Sequence, residues 1–94
     1  MYKTEEVSTP SGDYFANVYN FINNNTVEFI IIHSVGGSGN STVPGHSDWY
    51  YYNKSTYTFY IEDNKIYIPL DGTILTIVDN RTLVKDGGPT FYKW

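Results

Sequence analysis

Cysteine is absent from this chain, methionine occurs once, and only six residues are basic. Without cysteine there is no disulfide, no thiolate nucleophile and no thiolate metal ligand. The bases Lys3, Lys54, Lys65, Arg81, Lys85 and Lys93 are scattered, so no basic footprint for a nucleic acid exists. Ten acids bring the net charge to −4, and most of them fall where the chain is expected to turn. Long apolar runs are missing too. The longest, Phe29-Ile30-Ile31-Ile32, is far shorter than a bilayer span, and no stretch reads as a secretory signal. The expectation is therefore no nucleic-acid partner and no membrane span. The compartment stays open: cytoplasmic, or cell envelope if a signal segment was removed.

Aromatic residues are what the chain has in quantity, 18% of it, with ten tyrosines among them. Tyrosine suits a strand and offers a large apolar area with one polar tip. The 94 residues are enough for one domain with one modest core.

From Trp49 to Trp94, apolar and polar residues alternate in short runs, each ended by turn residues. Thr56–Ile61 stops at Glu62-Asp63-Asn64, Lys65–Ile68 at Pro69-Leu70-Asp71-Gly72, and Thr73–Val78 at Asp79-Asn80. Thr82–Val84 stops at Lys85-Asp86-Gly87-Gly88-Pro89, and Thr90–Trp94 closes the chain. Runs so close in sequence pair as antiparallel neighbours. Residues 14–22 are ambiguous. Tyr14, Val18, Phe21 and Ile22 have roughly helical spacing behind a capping Asp13, but asparagines and aromatics weaken a helix. The preferred reading is a strand from about Asn17 to Ile22, paired as a hairpin with Thr26–Ser34.

In that second strand Val27, Phe29, Ile31 and His33 share one face, and Glu28, Ile30, Ile32 and Ser34 the other. Apolar residues on both faces predict a central strand, covered on both sides over part of its length. The fold class is thus all-β: an antiparallel up-and-down meander of about seven strands, forming a small barrel or a strongly bent sheet. Residues 1–12 form a polar lead-in. Residues 13–94 form the domain, with a loop at 36–47 that is flexible by composition. An open sheet would have edges to protect, and a homodimer through an edge strand is the expected remedy.

Catalytic constellations are thin. His33, His46 and Asp48 could supply three metal ligands, but their spacing is not diagnostic. Ser34, Ser38, Ser41 and Ser47 lie near the histidines without a nucleophile-elbow pattern. Gly36-Gly37-Ser38-Gly39 lacks the lysine and helix of a phosphate loop. Glu62-Asp63 reads as a solvated turn. No enzyme activity, metal or cofactor is expected. Trp49, Tyr50, Tyr51 and Tyr52, with His46 in the adjacent loop, are the candidate binding residues. Alternation sends Trp49 and Tyr51 to one face and Tyr50 and Tyr52 to the other, one pair entering the core and one staying partly exposed. Cross-strand packing alone is the plainer account of the same run.

Tyr19–Phe29, Thr58–Ile68, and Asp71–Val78 followed by Asn80–Val84 resemble the opening, central and closing hairpins of lipocalin-like bacterial envelope domains. The resemblance implies a small non-enzymatic up-and-down barrel, often on a lipoprotein. This chain lacks the lipidation cysteine and a clear first strand bearing tryptophan. The expected function is a binding or interaction module acting through the aromatic surface beside the Gly/Ser loop. A phage- or plasmid-encoded inhibitor of a host protein belongs to that class. The alternatives are a lipocalin-like carrier of a small apolar ligand, or a structural domain of a cell-envelope lipoprotein.

Overall fold

Turn chemistry divides the chain. The computed structural model describes every residue from Met1 to Trp94 and contains strands but no helix. In chain order the strands are β1 (Tyr2–Lys3), β2 (Val7–Ser8), β3 (Tyr14–Phe21), β4 (Thr26–His33), β5 (Thr42–Val43) and β6 (His46–Thr58). They continue with β7 (Tyr60–Glu62), β8 (Lys65–Ile68), β9 (Thr73–Asp79), β10 (Thr82–Lys85) and β11 (Thr90–Lys93). Asp63 takes φ 56° in the two-residue turn between β7 and β8, a conformation that aspartate tolerates better than most residues. Gly72, between β8 and β9, and Gly87, between β10 and β11, take the same left-handed region.

All pairings are antiparallel within one sheet, in the order β5-β6-β4-β3-β1-β11-β10-β9-β8-β7, with β2 added to β3. Eleven strands thus replace the expected seven. Three of the additions, β1, β2 and β5, are only two residues long, too short for an alternation to be read. A fourth arises because the run 46–62 is interrupted at Phe59: β6 pairs with β4 and β7 with β8. The ladder does not close on itself, since β5 and β7 end the order.

Of residues 14–22, Tyr14–Phe21 form a strand rather than a helix, and Phe21 faces Val27 across the expected hairpin. Packing decided this: β3 lies between β1 and β4, and its residues alternate into two cores. The first twelve residues do more than lead in. Tyr2–Lys3 hydrogen-bonds to both β3 and β11, joining the two halves of the sheet.

The two faces of the β3–β4 hairpin carry separate cores. Tyr19 and Val27 pack with Phe59, Ile66, Ile68, Leu75, Leu83 and Phe91. Ala16, Val18, Ile30 and Ile32 pack with Val43, flanked by Met1, Trp49, Tyr51 and Trp94. The strand read as central and two-sided is so: Val27 and Ile30, on opposite faces, are both fully buried. Burial also pushes the Tyr19 phenol above its ordinary pKa, against a hydrogen bond with Thr73. Two cores on opposite sides of one hairpin give an elongated shape, 41 × 23 × 22 Å.

Candidate functional site

The aromatic run of β6 is held by β4 with one extra residue. Ile31 pairs with Asn53 and Ile32 with Tyr51, so a bulge falls at Tyr52, just before the expected Asn53-Lys54-Ser55. The run divides between the faces. Trp49 and Tyr51 lie against the core built on Ile30 and Ile32. The Trp49 ring meets Trp94 edge-on at 6.3 Å, and Trp94 is stacked on His46 at 3.6 Å. The Lys3 ammonium caps both indoles, 5.4 Å from Trp49 and 5.7 Å from Trp94, and sits 3.4 Å from Glu6. Lys54 covers Tyr51 at 4.8 Å.

Tyr50 and Tyr52 gather instead around His33. Tyr52 is edge-on to both Phe15 and His33 at 5.4 Å, and Tyr50 approaches His33 at 6.2 Å. The Tyr50 ring lies on the backbone of Gly36, where a Cβ would fall 2.7 Å from it. Of the four, only Tyr52 is exposed, at 62%. The five predicted residues are therefore two groups, His46, Trp49 and Tyr51 on one face and Tyr50 and Tyr52 on the other.

On the Tyr50 and Tyr52 side, a polar chain through His33 fastens the loop. Asp13 Oδ1 accepts from the backbone N–H groups of Tyr14, Ser34 and Val35 and from the Ser34 hydroxyl, at 2.8–3.0 Å. Asp13 Oδ2 lies 3.3 Å from His33 Nδ1, and Asn40 Nδ2 lies 2.8 Å from His33 Nε2. This geometry suits an imidazole that donates through Nδ1 to the carboxylate and accepts from the amide at Nε2. Desolvation pushes the Asp13 carboxyl upward, but hydrogen bonds from Ser34, His33, Tyr14 and Val35 outweigh it and hold the group below its ordinary value. The segment read as flexible is further tied where Tyr51 N–H donates to Ser41 O at 2.9 Å and where Val43, 2% exposed, enters the core.

Ser34 donates to Asp13, not to a histidine, and both His33 nitrogens are engaged. No group of three histidine, aspartate or glutamate side chains converges as a metal site, and His46 is taken up by Trp94. Glu62 and Asp63 lie at the β7–β8 turn.

Of three surface pockets, the two larger have no signature in the sequence. One, of about 400 Å³, is lined by Glu6, Tyr14, Ser34, Asp48 and Trp49 at the loop end. The other, of about 440 Å³, exposes the first core through Tyr2, Phe21, Phe59, Ile66, Ile77 and Leu83, with Asn23, Asn80 and Lys93 among its polar lining. Tyr2 is fixed there by its hydroxyl, which donates to Asn80 O at 3.2 Å, and by an edge-on contact with Phe21. Lining residues from segments so far apart leave no local signal. Comparison of the chain with protein-family models, with curated proteins and with solved structures returned no match.

Proposed function

We propose that this chain is a non-enzymatic binding module that meets a protein partner through the Trp49 face of β6. The observation that carries the reading is the cleft of about 400 Å³ whose lining includes Trp49 and the exposed Tyr14. A concave site with aromatic walls and a few polar groups is the usual form of a recognition surface. The clamp from Asp13 through His33 to Asn40 supports it, because a fixed loop loses little entropy on association. Occlusion of a host protein by a small inhibitor is one form that such binding takes. Tyr50 and Tyr52 then serve as cover for β4, and His46 as the support of Trp94.

The test is capture of partners by the immobilised protein, compared with Tyr14→Ser and Trp49→Leu variants of unchanged circular dichroism. Loss of the captured protein in both is the expected result. Equal capture by wild type and by both folded variants would remove this face from the reading.

The second pocket favours a second reading, the carrier of a small apolar ligand. Its lining draws on β1, β3 and every strand from β7 to β11, as a strongly bent sheet wrapped around a cavity would require. Its volume falls within the range of small-molecule sites, roughly 300–1,000 Å³. The neutral fluorophore 1-aminoanthracene should brighten on binding there. Ile61→Lys at the rim should abolish the signal, while Leu70→Lys, outside the pocket, should not.

A further inference from the structure

We infer that the cleft beside Trp49 receives a cationic side chain, the ammonium or guanidinium of a basic segment of the partner. This rests on the binding reading above and names the chemistry of its occupant. Two carboxylates from distant parts of the chain, Glu6 and Asp48, line the same cleft as the rings of Tyr14 and Trp49. Aromatic faces and carboxylates together attract a cation more than either does alone, and neither favours an anion. The one cation at its margin is Lys3, which is paired with Glu6.

The molecule itself supplies an example of the contact. Lys3, next to this cleft, places its ammonium 3.4 Å from Glu6 and 5.4 Å from the Trp49 ring centre. One lysine is thus already held by a carboxylate and an indole that also line the cleft. Asp48 has no such partner: it is exposed and enters no ion pair. Tyr14, 47% exposed, likewise keeps its ring toward solvent. What stays unpaired in the cleft lining is therefore Asp48, with the exposed Tyr14 at the same opening. The net charge of −4 adds long-range attraction for a basic segment.

A hexalysine peptide is the probe, and two-dimensional NMR of the intact protein is the readout. The expected shifts centre on the Trp49 indole N–H and on the amides of Tyr14, Ser34 and Asp48, and hexaglutamate produces none of them. Asp48→Asn, a surface change that leaves both cores intact, should weaken hexalysine at least about fivefold, as should a rise from about 0.05 M to about 0.5 M salt. Lys3→Met should tighten binding by more than Lys85→Met does, because only the first vacates Glu6 and the indole. Shifts spread evenly over all acidic positions, or an Asp48→Asn variant that binds as wild type does, would overturn the inference. If partner capture still depends on Tyr14 and Trp49 in that case, the binding reading stands and only the cationic occupant falls. If capture is independent of both residues, the binding reading falls as well.

Discussion

Asp13 gathers more hydrogen bonds than a turn residue needs for its own turn. Its carboxylate fixes the start of β3, the end of β4 and, through His33, the loop at Asn40. A carboxyl held below its ordinary value of 3.8 stabilises the folded state in its ionised form. That contribution is complete above the ordinary value and is lost as pH falls through the lower folded one. Asp13→Asn should therefore lower the thermal midpoint at neutral pH and flatten its fall in acid, which thermal melts across the acid range would show. An Asp13→Asn variant with the wild-type acid profile would count against the assignment. The residue was legible only as a turn or cap signal after Gly12, because its partners lie 20 to 22 residues further on.

β4 decides the architecture at the next scale. Its even- and odd-numbered residues feed different cores, so two truncations in one strand should wound different parts of the molecule. Ile30→Ala should cost about 2–5 kcal/mol and Val27→Ala roughly 1–3 kcal/mol. Amide exchange should then accelerate in β5 and the first half of β6 for the first variant, and in β8 and β10 for the second. Equal loss of protection everywhere would show the two cores to be one cooperative unit. The pattern of β4 could be read from its sequence, since alternation along eight residues fixes which side chains share a face. The division of β6 and β7 could not, because nothing around Phe59 marks the point where the strand changes partners.

Taken whole, the molecule is a sheet that ends in two short strands. β5 has two residues and β7 three, with Glu62 on β7 facing Lys65 across the hairpin. Short, charged edges limit strand-to-strand association. β5, however, covers β6 only between His46 and Tyr50, so the outer edge of β6 from Tyr52 to Thr58 is unpaired, and an edge-paired homodimer formed there should appear in sedimentation as the dimer mass. A dimer that Ile61→Pro abolishes would show that β7 nevertheless serves as the contact. The two pockets lie at separate places on this elongated body, one lined by apolar core residues and one acidic and aromatic. Ligand binding in one should leave the amide shifts of the other unchanged.

The amino-acid sequence by itself determined the longer extended segments, most of their turns and the faces that neighbouring residues share. These are local matters: a period of two and a handful of turn residues act over a few positions, whatever the rest of the chain does. Only the tertiary structure decided that Tyr2–Lys3 joins the halves of the sheet and that Trp94 lies against His46 and Trp49. It alone brought Glu6, Tyr14 and Ser34 to the indole that follows Asp48 in the chain. Such juxtapositions depend on which apolar faces bury each other across long stretches of chain. Many pairings satisfy the same alternation, and the packing of two cores selects among them.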